Sequence, residues 1–251
     1  QQRPFYWLWL SITKLTQETP VMVLMNEDVP LWLAYGSIAL LLLMVGYVCQ
    51  DKALLRRMVQ IRTVFLLLLL LFLWALSVNV SRGASSGLSF HLLGMTLAFL
   101  MLQPKAALGL LLVLGSVFML PTVWQHQQWL SLAPSMVLTV LPAWLANVVL
   151  TPVLKRYLPK HVFVFILGHG FVTAGISMLV TGVCITWALH VTGRYSWYVL
   201  SEEVLPVYVL LMWGEGFLTG LLVAVMVAFK PHWLDAYSDA EYLPAAPKQR
   251  W

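Results

Sequence analysis

Apolar residues fall in seven runs along this chain, at 31–49, 61–80, 88–102, 106–120, 132–150, 162–190 and 204–229. A helix needs about 20 such residues to cross the hydrocarbon core of a bilayer. At that depth no water is available. Each backbone N–H and C=O must find a partner within the protein, which selects helices over loops and open strands. Charge content agrees: Asp, Glu, Lys and Arg make up 10% of the chain, against about 25% in an ordinary soluble domain. So little charge cannot cover a surface that faces water. The expected fold is all-α, a polytopic membrane protein with about seven transmembrane helices. The third and fourth runs are short, and only Gln103-Pro104-Lys105 parts them. A tight hairpin is expected there, with arms that do not both cross.

The formal net charge of +5 does not indicate a nucleic-acid partner, because the basic residues cluster between the apolar runs instead of lining one face. Basic loops stay on the cytoplasmic side of a membrane. Taking alternate connections, one set holds Lys52, Arg56, Arg57, Arg62, Lys105, Lys155, Arg156, Lys160, Lys230, Lys248 and Arg250, eleven residues. The other holds Arg3, Lys14, Arg82 and Arg194, four residues. The expected threading is therefore N-out and C-in, in a cell membrane (inner or plasma). Residues 1–24 mix Trp7, Trp9, Lys14 and Glu18 with apolar residues and form no clear span. They are expected to be either a non-native extension ahead of a start at Met25 or an interfacial segment. Residues 25–243 form the membrane domain, and 244–251 a cytoplasmic tail. Cys49 and Cys184 lie far apart in apolar runs, which suits small buried or lipid-facing residues.

Ionisable residues at membrane depth are costly and mark sites of function or of helix locking. His91, His169 and Glu215 are such residues, and Asn147 is a polar companion. Glu215 stands between Gly214 and Gly216, which would let a second helix come close. A locked helix crossing or a contact to a transported ion are both open to it. Imidazole suits Co, Ni, Cu and Zn, so His91, with Ser89 and Gly94 nearby, is the leading metal-ligand candidate and His169 a secondary one. A histidine bonded within the bundle is the alternative for each. No zinc-protease HExxH or P-loop occurs. An enzyme is not expected, and any ATPase that drives a pump must be another chain.

Several stretches resemble the CbiM-type family, the cobalt and nickel substrate-capture subunits of energy-coupling-factor ABC transporters. Trp213-Gly214-Glu215-Gly216-Phe217-Leu218-Thr219-Gly220 is similar to that family's Glu-Gly/Ala-x-Ile/Leu-Thr-Gly helix. Phe229-Lys230-Pro231-His232-Trp233 resembles the basic-Pro exit that follows it. Gly87-Leu88-Ser89-Phe90-His91-Leu92-Leu93-Gly94 looks like the family's Gly-Thr-Ser-x-His-Leu segment. The resemblance covers 25–243 and is closest to a divergent branch. It implies a permease component that captures a transition-metal ion, cobalt or nickel, as its transported substrate and holds no permanent cofactor. It also implies a coupling transmembrane subunit and cytoplasmic ATPases as partners within the lipid membrane. The family's metal site joins an N-terminal Met-His-Ile segment to a third-span histidine, which His91 matches. Neither Gln1-Gln2 nor Met25-Asn26 supplies the other histidine. The alternative is a membrane structural or assembly protein of the same fold that has lost the ion.

Overall fold

The computed structural model describes residues 23–51, 53–79 and 88–243. Its long elements are α1 (Leu31–Cys49), α3 (Ile61–Ala75), α4 (Met95–His126), α5 (Trp129–Tyr157), α6 (Val162–Val191) and α7 (Trp197–Phe229). Short helices α2 (Leu54–Met58) and α8 (Asp239–Tyr242) lie between α1 and α3 and near the chain's end. Val78–Asn79 and Ser89–Phe90 pair as a two-residue antiparallel ladder, β1 and β2. All of these except α2, α3 and α8 among the helices are long and apolar enough to cross a membrane. The expected all-α polytopic protein is what folds.

α4 is the central element. In its most apolar stretch 67% of residues are buried, against 22% in α1 at the rim. Inside α4, Gln103 leaves the helical region, with φ 71° and ψ 162°. Pro104 is the cause. Its ring disfavours a helical residue before it, and it has no N–H to give. A straight helix from Met95 to Phe118 would be about 35 Å long. Yet Trp74 touches both sides of the break: its Nε1–H donates to the Leu93 carbonyl at 3.2 Å, and its ring lies 5.6 Å from that of Phe118. The chain therefore reverses at Gln103, as the short third and fourth runs suggested. The break frees carbonyls, and distant groups take them up. Ala236 N–H donates to Leu100 O at 3.1 Å and Trp144 Nε1–H to Pro104 O at 3.0 Å.

With that reversal, the elements run alternately between two ends. One end gathers Asn26, Gln127, Gln128 and the Asp28–Arg194 ion pair. The other gathers the Arg62–Asp235 pair, the Lys160–Glu241 pair at 3.0 Å, and Lys155, whose ammonium donates to Ala236 O at 3.3 Å. Leu24 belongs to the first end. It is fully buried, and its N–H donates to Ser135 Oγ at 3.3 Å. Residues 1–22, Lys52, Arg82, Gly87 and the 244–251 tail lie outside the described residues.

Apolar side chains face outward as well as inward, while the core keeps Trp74, Phe165, Leu66 and Leu70 fully buried. Leu42, Leu68 and Phe217 point outward at 67%, 61% and 65% exposure, while Thr63, Ser135, Asn147 and Glu215 are buried. Lipid is as apolar as leucine, so helices associate through close backbone approach and interhelical polar contacts. α6 and α7 illustrate the first. A Cβ on Gly182 would fall 2.3 Å from Tyr208 Cγ, and one on Gly216 would fall 3.0 Å from the Phe171 carbonyl. Residues 165–172 of α6 and 200–204 of α7 widen into π-turns, a distortion common near functional sites. Gly182→Ala is expected to destabilise the fold by about 1–3 kcal/mol through overpacking against Tyr208. Thermal unfolding in nanodiscs would measure it, with Gly36→Ala, whose added methyl meets open space, as the unaffected control.

Candidate functional site

The chain between β2 and α4 is not helical, and it lies at the depth of mid-α7. Irregular backbone survives there only where protein or a cavity surrounds it. Here both do. Leu88, Phe90 and Leu93 are buried. Gly94, with φ 68°, occupies the left-handed conformation that starts α4. A Cβ on Gly94 would fall 2.1 Å from Leu70 Cδ2, so side-chain space and backbone angle both demand glycine.

A helix that begins at this depth leaves its first N–H groups without water. Glu215 answers the two N–H groups that lead into it: one carboxylate oxygen accepts from Leu93 N at 2.9 Å and the other from Gly94 N, just before the helix, at 2.7 Å. Both groups are buried, and the carboxylate also faces the positive end of the α4 dipole. Of the two roles open to Glu215 in the sequence, this is the geometry of the helix lock. Gly216 gives the close approach expected of it, to Phe171. A Cβ on Gly214 would meet Leu92 at an ordinary 3.6 Å. Thr219 is buried one turn below Glu215 on the same helix.

The locked segment holds His91. Its Nδ1 lies 3.2 Å from the Leu92 carbonyl, and its ring packs 4.3 Å from that of Trp74. A carbonyl oxygen only accepts, so this bond places the proton on Nδ1 and leaves the Nε2 lone pair free to bind a ligand. His91 lines a cavity of about 20 Å³ together with Ser89, Thr139, Met178, Thr181 and Tyr208. That volume admits one water or one ion and no organic substrate. The donors are an imidazole, hydroxyls and one thioether, all neutral, a set suited to a borderline transition metal. Val23 closes the cavity on the Asn26 side. Asn26 anchors that strap: its N–H donates to Gln128 Oε1 at 2.6 Å, its Nδ2–H to Gln127 O at 2.8 Å, and its Oδ1 accepts from Ser131 N at 3.0 Å.

His169 does not reach this site. It lies twelve residues along α6 from Thr181, about 18 Å by helix rise, with its ring 5.3 Å from that of Phe165. Phe165 in turn packs on Tyr237 and Tyr242 at the opposite end of the bundle. Met178, Thr139, Thr181 and Tyr208 went unremarked in the sequence. The one visible signal was the run of hydroxyl residues at four-residue spacing on α5 and α6.

A family model described as "Cobalt uptake substrate-specific transmembrane region" matches residues 28–233, most of the chain and all of the long helices. The chain belongs to the CbiM family. No curated protein and no solved structure matches it. CbiM proteins are transport components rather than enzymes, and this CbiM chain is a multi-pass membrane protein.

Glu215→Leu removes the acceptor for two buried N–H groups, each worth about 1–3 kcal/mol when left unpaired. The variant is expected to fail to accumulate as folded protein. Glu215→Gln, which keeps one acceptor oxygen, is expected to fold with a lowered melting temperature. Size-exclusion profiles and thermal unfolding of the two variants check this.

Proposed function

We propose that this CbiM chain captures a cobalt or nickel ion from outside the cell and passes it inward, with separate ATPase subunits and a coupling membrane subunit supplying the energy. The family match supports a substrate-specific component for cobalt uptake. The observation that carries the reading to residues is His91, held with Nε2 free in a cavity sized for one ion. The excess of Lys and Arg at the Lys155 end supports a cytoplasmic placement for that end, and thereby an outward placement for the strap over His91. The same basic loops would be the docking face for ATPases at an inner or plasma membrane.

In this mechanism the ion sheds water in the cavity and takes the His91 imidazole as its strongest protein ligand. Hydroxyls of Ser89 and Tyr208 and the Met178 thioether complete part of its shell. Glu215 does not touch the ion; it holds the backbone that aims His91. One observation favours the second reading, an assembly protein that has lost the ion. Among the described residues no three His, Cys, Asp or Glu side chains gather as a metal site.

Equilibrium dialysis of the purified full chain with Co²⁺ or Ni²⁺ separates the two. His91→Ala is expected to weaken binding by at least about tenfold, the minimum for losing a direct ligand when outer-shell losses already cost 10–100-fold. Binding is also expected to weaken as pH falls, because protons compete for Nε2. His169→Ala and His232→Ala are expected to bind as the wild type does. A wild-type chain that binds neither ion overturns capture in favour of the assembly reading.

A further inference from the structure

α5 and α6 meet along a seam of buried polar side chains that begins at the His91 cavity and runs toward the Lys155 end. Thr139 on α5 and Thr181 on α6 line that cavity. Further down, Asn147 Nδ2–H donates to Ser177 Oγ at 3.3 Å and to Ala143 O at 2.9 Å, so the two helices are in polar contact there. One turn beyond, Thr151 opens into a second cavity of about 290 Å³, which Tyr47, Phe99, Pro104 and Lys155 also line. From Thr139 to Thr151 is twelve residues, about 18 Å of helix. Asn147 and Ser177 are almost wholly buried, and Thr151 is 8% exposed.

A seam built only for packing pairs its polar groups, since an unpartnered one forfeits its solvation with nothing gained. This seam does not. Asn147 Oδ1 and Thr151 Oγ1 have no hydrogen-bond partner among the described residues. Neither has His169 Nδ1, which lies on α6 toward the same end. All three atoms can offer lone pairs to a cation. Asn147 lies between a cavity that fits one ion and a wider cavity at the opposite end, which Thr151 lines.

We propose that the α5–α6 seam is the route by which the captured cation leaves the His91 cavity, with Asn147 Oδ1 and Thr151 Oγ1 as transient ligands along it. This rests on the ion-capture reading and extends it. Neutral amide and hydroxyl oxygens hold a divalent transition metal less tightly than an imidazole does, as a relay requires. The Lys155 ammonium one turn beyond Thr151 disfavours a cation lodging at the outlet, so that cavity releases the ion rather than stores it.

The test compares binding with uptake. Co²⁺ binding is measured on the purified full chain in nanodiscs, and Co²⁺ uptake in cells expressing the same chain from its own locus. Thr151→Val is the principal variant: it swaps an unpartnered hydroxyl for an isosteric methyl, so the fold is expected to be at least as stable. Asn147→Leu is the second variant. Thr122→Val is the control, because Thr122 Oγ1 is equally buried and unpartnered but lies on α4, off the seam. Thr151→Val and Asn147→Leu are expected to bind Co²⁺ as the wild type does and to lose uptake by about tenfold, the effect of one weakened ion contact at the slowest step. Thr151→Ser is expected to restore uptake, and Thr122→Val to leave it unchanged. Seam variants with wild-type uptake overturn the proposal. So do seam variants that lose binding and uptake together, because that is the result of a purely structural seam. A wild type that does not bind Co²⁺ overturns the capture reading itself, whereas one that binds it without supporting uptake overturns the route alone.

Discussion

The Glu215 carboxylate, bonded to the N–H groups of Leu93 and Gly94, is the contact on which the rest of the structure depends. α4 starts inside the bundle instead of at a membrane surface. Helix starts normally leave their unpaired N–H groups to water. At this depth only another protein group can serve, and a carboxylate facing the helix dipole is the strongest acceptor available. Once the bond is made, the chain from Leu88 to Gly94 can stay unwound. His91 can then project into a cavity, which a continuous helix would have closed by packing.

A second consequence follows from starting α4 so deep. Its first arm, 95–102, is too short to cross and must turn back, and Pro104 provides the turn. The turn exposes carbonyls at the opposite end of the bundle. The segment after α7 supplies an N–H to one of them through Ala236. Residues near the chain's end thus become part of the core, tied also by Arg62 and Lys155. The two irregular places, one at His91 and one at Gln103, are coupled through a single short helical arm.

The polar interior fits the same logic. In lipid large apolar side chains can face outward as well as inward, and the interior holds hydroxyls, Asn147 and His169 among buried residues such as Trp74, Phe165 and Leu66. Most hydroxyls are satisfied locally, as Thr139 and Thr181 are by carbonyls one turn back at 2.8 and 2.9 Å. Among the described residues the buried oxygens of Thr96, Thr122, Asn147 and Thr151 lack a partner, and the last two lie on the seam that joins the cavities.

Much of the fold was legible in the sequence because a membrane leaves few choices. Apolar runs about as long as the hydrocarbon core must be helices. Gln103-Pro104-Lys105 parted two short ones as a hairpin, and a glutamate between glycines had to find a partner. His91 stood out by its chemistry alone. The sequence could not show that Glu215 reaches across 121 residues to Gly94, because that pairing depends on how α7 crosses the start of α4. Nor could it show that Met178, Thr181 and Tyr208 share a cavity with His91 while His169 does not. One-dimensional spacing fixes which residues lie on a helix face; only the packing of α5, α6 and α7 fixes the depth at which those faces meet.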